Sequence, residues 1–315
     1  MANGFVIAVI GGKGGVGKSQ FAANLAFAYA AENRQKVLLL DFDQKAAGDQ
    51  TLITGIKSKK SVKDLSEFNG SIDPKSINMF VGMHKAGVHF VGMPSDPNEA
   101  DAVDSEGLGK VLKAVPNLYQ LTIVDCGSEL NSLALKALEF STMITLVVTP
   151  DVLAANQTKR IYSDLVTMLF PKEMIQIVMN QFQKGHPITP DVIGRQIGKP
   201  VFAPVPKDDQ GCTRALSSGA PLFVLAKNSP MSQGITDFVR KLKQKNVLAS
   251  LAKLKKPEGV EKKSESKVAT KPGGKNPWLE LKARIHKSLV EEMDMKKQDD
   301  NDPKAKIILR EKTKK

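Results

Sequence analysis

Short runs of consecutive apolar residues alternate along this chain with stretches whose apolar positions recur every three to four residues. The runs are Phe5–Ile10, Val37–Leu40, Val88–Val91, Leu121–Val124, Met143–Val148, Ile175–Met179 and Val201–Val205. A strand buried on both faces carries apolar side chains at nearly every position, so these runs predict a parallel sheet covered on both sides. The helical stretches fall between them, at Lys18–Glu32, Leu108–Ala114, Asn131–Phe140, Leu153–Leu169, Thr189–Gln196 and Ser232–Lys256. The alternation predicts an α/β fold: a doubly wound, mostly parallel sheet with helices on both faces. Ile56–Gly87 is polar and broken by Gly and Pro, and is expected to be an irregular insertion near the active face.

Composition then divides the chain. Residues 1–256 read as the α/β domain, and 257–275 as a disordered basic linker of Lys, Ser, Gly, Glu and Pro with almost nothing to bury. In 276–295 Asn276 and Pro277 form a helix start, and Trp278, Leu281, Ile285, Leu289 and Met293 make one apolar stripe. A lone helix of that length is marginal in water, so it is expected to dock on something. Residues 296–315 read as a charged, flexible tail.

Candidate chemistry concentrates just after the first strand, in Gly11-Gly12-Lys13-Gly14-Gly15-Val16-Gly17-Lys18-Ser19. A glycine-rich turn between a strand and a helix lets successive N–H groups face inward at the positive end of the helix, which is a cradle for phosphate. This is the P-loop pattern. Gly12, Lys13, Gly14, Gly15, Val16 and Gly17 would line the cradle, Lys18 would bridge the β- and γ-phosphates, and the Ser19 hydroxyl would ligate Mg2+. ATP and Mg2+ are the cofactors this implies.

The early lysine in Lys13-Gly14-Gly15-Val16-Gly17-Lys18-Ser19 resembles the deviant Walker A ATPases, the group that includes MinD, ParA, the nitrogenase iron protein and the CpaE proteins. The resemblance implies that Lys13 reaches across a sandwich dimer to the partner's nucleotide, coupling self-association to ATP. It also matches Asp41-Phe42-Asp43 to the end of the family's second strand, implying that Asp41 lies near the metal and Asp43 orients the attacking water. Leu121-Thr122-Ile123-Val124-Asp125 is similar to the Walker B strand, with Asp125 holding the metal through water. Read without the family, such strand-end carboxylates serve equally as helix caps. Asn180 matches a position that hydrogen-bonds adenine, and Pro204-Val205-Pro206-Lys207-Asp208 resembles the purine-side loop. That assigns Asn180, Pro204, Pro206 and Asp208 to the nucleotide. Gln20 stands where a second hydroxyl residue is usual, removing one α-phosphate contact, and no proline follows Asp125-Cys126-Gly127-Ser128. Both departures imply slow hydrolysis.

Within the family, the branches built on paired cysteines are excluded, because Cys126 and Cys212 are the only cysteines. A tyrosine-rich tail is also absent. Thr149–Ala155 followed by Lys159-Arg160 resembles the CpaE branch, and Trp278–Asp294, with its Lys282-Ala283-Arg284-Ile285-His286 core, resembles the N-terminal helix of the CpaF secretion ATPases. The expectation is an ATP-operated dimer that positions a pilus or secretion assembly, the C-terminal helix contacting that machinery. Two other readings stay open. One is a ParA-like partition ATPase binding nonspecific DNA. The other is a MinD-like or flagellar-regulator-like positioning ATPase touching lipid through Val247, Leu248, Leu251 and Leu254 and the lysines among them.

Charge sharpens these alternatives. The net charge is +13, and residues 251–315 carry 19 Lys and Arg against 11 Asp and Glu, so most of the excess sits in the last fifth. Such a segment attracts nucleic acid, anionic lipid or an acidic protein, or is a solvated tether. With no basic leader and no apolar run of the roughly 20 residues a bilayer demands, the expected place is the cytoplasm, with a peripheral site at the inner membrane face or a cell pole.

Overall fold

The computed structural model describes residues 4–254. The proposed linker, interaction helix and tail lie outside the described residues.

The chain opens with β1 (Phe5–Ile10), α1 (Lys18–Asn33) and β2 (Val37–Asp41), then α2 (Asp49–Thr54), α3 (Val62–Ser66) and α4 (Pro74–Ile77). Next come β3 (Gly82–Met83), β4 (Val88–Val91), α5 (Pro97–Asp101), α6 (Ser105–Ala114) and β5 (Leu121–Asp125). The second half runs α7 (Ser132–Phe140), β6 (Met143–Val148), α8 (Val152–Thr167), β7 (Ile175–Phe182), α9 (Pro190–Ile197) and β8 (Val201–Pro206). It ends with α10 (Asp209–Ser217), α11 (Leu222–Leu225), α12 (Pro230–Gln244) and α13 (Val247–Leu251). The eight strands of the described residues form one sheet in the order β3-β4-β2-β5-β1-β6-β7-β8. All pairs are parallel except β3 with β4. Every residue of β2, β4, β5 and β6 is buried, His89, Thr122 and Thr145 included, as the position of strands covered on both faces requires.

After β1 the chain winds outward to one side through β2, and only later crosses to β6 on the other side, so the order reverses beside β1. Open parallel sheets place ligands at the carboxyl ends of strands at such a reversal. Both the glycine loop after β1 and the carboxylates ending β2 and β5 emerge there. The helix following the loop is held on nearly every side: α1 buries the small residues Ala22, Ala23, Ala26, Ala28 and Ala30 against the sheet and its neighbours. Its Phe21 meets Phe238 of α12 edge to face, ring centroids 5.4 Å apart.

Two expectations need correction. Residues 56–87 are not irregular, for they contain α3, α4 and the edge strand β3, and they bury Val62, Leu65, Ile77, Phe80 and Val81. Two polar caps hide this order from a hydrophobic pattern: Ser61 accepts from the Asp64 amide, and Asp73 accepts from Lys75 and Ser76. The helix expected over 232–256 is also broken. α12 stops at Gln244, Asn246 takes a left-handed φ of 46°, and α13 starts afresh. The break turns Leu248 and Leu251 into the core, and Val247 and Leu254 pack against it. An apolar face already covered by protein is not offered to lipid. Among the described residues no helix is long and apolar enough to cross a membrane.

Candidate functional site

The glycine loop leaves β1 at Ile10 and enters α1 at Lys18. Gly15 and Gly17 have φ of 78° and 84°, a left-handed backbone that residues with a Cβ adopt at a cost. Gly17 is the N-cap of α1, and no side chain caps the helix there. A Cβ on Gly14 or Gly15 would meet nothing within 4 Å, and both residues line a cleft of about 750 Å³ together with Gly17, Lys18, Ser19 and Gln20. Gly12 faces the other way. A Cβ there would lie 2.5 Å from the Gln157 carbonyl carbon, so only glycine lets the loop lie against α8. Val16 is buried and anchors the turn.

Lys18 is 6% exposed, and its Nζ donates to the Lys13 carbonyl at 3.3 Å, curling the side chain back under the loop. Lys13 is far more open. Its Nζ lies 3.5 Å from Asp151 Oδ1 in the same chain, both side chains being 39% exposed. Asp151 also caps α8 through the Ala154 amide at 2.8 Å and accepts from the Thr149 hydroxyl at 2.6 Å. Burial pushes its carboxyl up, but the hydroxyl, the amide and Lys13 outweigh that and hold it below the usual range.

The carboxylates are brought together by strand register. Asp41 and Asp125 are direct cross-strand partners at the ends of β2 and β5, and Val9 of β1 is the neighbour of Asp125 on its other side. Both are buried, at 1% and 0% exposure. Burial, and then the Asp125 charge, drive the Asp41 carboxyl well above its ordinary range; burial also raises Asp125, against hydrogen bonds from the Ser19 hydroxyl and Gln50. Asp41 Oδ1 accepts the Asp43 amide, while Asp41 Oδ2 is buried with no partner. Asp43 caps a single helical turn, accepting from Lys45 and Ala46, and reaches the cleft beside Gly127.

This set fits Mg2+. Two buried carboxylates side by side can both carry their charge only with a cation between them, Asp41 Oδ2 is left without a partner among the described residues, and a serine hydroxyl adjoins them at the phosphate cradle. Among the described residues no three His, Cys, Asp or Glu side chains close on a common point to hold a metal. Magnesium is suited to that arrangement, because it keeps several waters and is bound by few protein ligands plus phosphate oxygens.

On the other side of the loop, Asn180 is 4% exposed, donates to the Val16 carbonyl at 2.8 Å and sits over Gly17. Pairing of β7 with β8 sets Met179 beside Pro204 and Phe182 beside Pro206, so Asn180 and both prolines share one end of the sheet. Asp208 is separated from the phosphate cleft. It caps α10 through Gly211 and lines a different depression with Arg214 and Lys227. Gln20 is tied sideways to Asn24, whose Oδ1 accepts the Phe223 amide, so it joins α1 to α11.

The motif spacing missed two residues. Asp151 lies in the Thr149–Ala155 segment, and the resemblance of that segment to CpaE proteins gave it no role of its own. Gln50, 1% exposed, donates from Nε2 to Asp125 Oδ2 at 2.8 Å and to the Ser19 carbonyl at 3.1 Å, and only the placement of α2 reveals it.

Comparison with known proteins agrees with the fold. A Methanocaldococcus jannaschii ATP-binding protein is 28% identical over 251 residues, covering 79% of this chain and 91% of that relative. The septum site-determining protein MinD of Thermotoga maritima is 24% identical over 250 residues, covering 78% and 90%. Among solved structures, a ParA family ATPase from Chlorobium tepidum TLS superposes with a TM-score of 0.71 at 23% identity, covering 76% of this chain and 98% of that one. MinD from Pyrococcus horikoshii OT3 complexed with Mg-ADP gives 0.65 at 21%, covering 79% and 99%. Residues 7–222 match the CobQ/CobB/MinD/ParA nucleotide-binding domain, and the chain belongs to that family.

Proposed function

We propose that this protein is a deviant Walker A ATPase, a switch that binds Mg-ATP, dimerises through its nucleotide face and hydrolyses the nucleotide slowly. The observation that carries the reading is the meeting of the glycine cradle, buried Lys18, Ser19 and the Asp41–Asp125 pair at one end of the sheet.

In this reading the loop from Lys13 to Ser19 holds the phosphates while Gly12 seats it on α8, Lys18 neutralises their charge, and Asn180, Pro204 and Pro206 adjoin the adenine, with Asp208 farther out. Ser19, Asp41 and Asp125 would hold Mg2+, which when bound neutralises charge shared between the β- and γ-phosphates. Asp43, on the cleft wall, positions the attacking water. Lys13 turns from Asp151 toward the partner's nucleotide. Exposed Val152 and Leu153 follow Asp151 directly, and exposed Leu52 and Leu216 line the cleft, which supports self-association on this side.

The test is calorimetry and light scattering with full-length protein. Wild type is expected to bind ATP in the presence of Mg2+ and to form dimers with a non-hydrolysable analogue, and Lys18→Ala to lose binding. No heat of binding in wild type would overturn the proposal.

For the cargo, the resemblance of Thr149–Ala155 to CpaE proteins and of Trp278–Asp294 to the CpaF helix supports a pilus or secretion assembly. A pull-down with segment 276–294 that recovers a secretion ATPase supports it, and recovery of nucleic acid alone moves the reading to partition. A MinD-like positioning role is favoured by the similarity to septum site-determining proteins. It predicts ATP-dependent co-sedimentation of the full chain with anionic vesicles.

A further inference from the structure

Gln50 is a buried polar residue to which the nucleotide reading gives no task. It sits in the first turn of α2, whose N-cap is Gly48 with φ of 95°, and its side chain runs inward beneath the cleft wall formed by Asp49, Leu52 and Ile53. The Nε2 amide donates to Asp125 Oδ2 at 2.8 Å and to the Ser19 carbonyl at 3.1 Å. Its two N–H bonds therefore join the carboxylate ending β5 to the main chain where the glycine loop becomes α1. Oε1 is buried with no partner.

Space-filling alone does not account for this residue. A methionine fills a similar volume without burying an amide oxygen that lacks a donor, and an orphaned buried acceptor is unfavourable. What only the amide supplies is restraint on Asp125. That carboxylate lies close enough to Lys18 for the two charges to interact, and it also accepts the Ser19 hydroxyl. With Gln50 holding Oδ2, Asp125 keeps the orientation in which it accepts the Ser19 hydroxyl, so the two groups assigned to the metal stay side by side.

We propose that Gln50 is a positioning residue of the magnesium site, acting through Asp125 and Ser19 to set how much Mg2+ is needed for tight nucleotide binding. The inference rests on the Mg-ATP reading above. Because Gln50 rides on α2, it also ties the carboxylate at the metal to a helix that walls the cleft.

The experiment titrates Mg2+ into full-length wild type and Gln50→Met with a fluorescent ATP analogue, and repeats the binding in excess EDTA. Gln50→Met is expected to raise the Mg2+ concentration for half-maximal binding at least fivefold while metal-free affinity stays within twofold. A purely structural residue would weaken both alike. If Gln50→Met does not fold by circular dichroism, Gln50→Asn, which keeps an amide one methylene short, carries the same test. An unchanged Mg2+ requirement in a folded variant, or equal losses with and without metal, overturns the assignment of Gln50. Failure of wild type to bind the analogue under any condition overturns instead the nucleotide reading beneath it.

Discussion

Lys13 and Asp151 form an ion pair within one chain, Nζ to Oδ1 3.5 Å, across the rim of the phosphate loop. A lysine assigned to the partner's nucleotide must first leave that aspartate. Each side chain is 39% exposed, so the pair is screened by solvent and worth about 0.2–1 kcal/mol. Asp151→Asn keeps an oxygen to cap α8 and loses the charge. It is expected to lower the ATP concentration that half-saturates dimer formation by roughly two- to fivefold. Lys13→Ala is expected to abolish the ATP-dependent dimer while leaving affinity of the monomer within about threefold, since Lys18 supplies the buried cation. Light scattering against ATP concentration measures both, and undiminished dimers in Lys13→Ala refute the trans role.

In the proposed mechanism Asp43 acts on turnover. It caps one helical turn at the protein surface, and its carboxylate faces the cleft beside Gly127. Asp43→Asn keeps an acceptor for the Lys45 and Ala46 amides but is a far weaker base. Phosphate release is expected to fall by about 10²-fold or more, with dimers accumulating in ATP. Unaltered release removes Asp43 from the mechanism.

The Asp41–Asp125 pair makes a pH signature. Burial raises both carboxyls, so the folded chain holds their protons more tightly than the unfolded chain. For such a group the stabilisation is complete below the unfolded value of about 3.9 and is lost as pH rises through the higher folded value. Above that window the charged pair destabilises the metal-free protein. Asp41→Asn is expected to raise the melting temperature in EDTA near neutral pH, with the gain shrinking toward pH 4. Melts across pH measure this, and a gain independent of pH sinks it.

Gly12 is a packing requirement at the edge of the site. A methyl group there would meet Gln157 and Thr158 backbone atoms at 2.5 to 2.8 Å, and backbone of a sixteen-residue helix yields poorly. Gly12→Ala is expected to cost roughly 1–3 kcal/mol and lower the melting temperature by several degrees. Gly14→Ala, with open space around it, is expected to leave the melting temperature unchanged and to weaken ATP binding. Equal thermal effects of the two substitutions would contradict this division of the loop.

Local chemistry carried much of this protein into view without coordinates. Of the eight strands in the described residues, seven follow from mostly apolar runs, because a strand buried on both faces carries apolar side chains at most of its positions. The cradle follows from glycines, a lysine and a serine at fixed spacing, because phosphate chelation is performed by one contiguous turn. β3 and the short helices of residues 56–87 were hidden, since two strand residues and a few polar caps make no period. The break at Asn246 was hidden as well, because an apolar stripe runs across it. Pairing was beyond reach for a different reason. Asp41 meets Asp125, Gln50 reaches Asp125 and Ser19, and Lys13 meets Asp151 across 138 residues, through register and helix placement. Such contacts exist only once the sheet has set the strand order, and no short stretch of chain contains both partners.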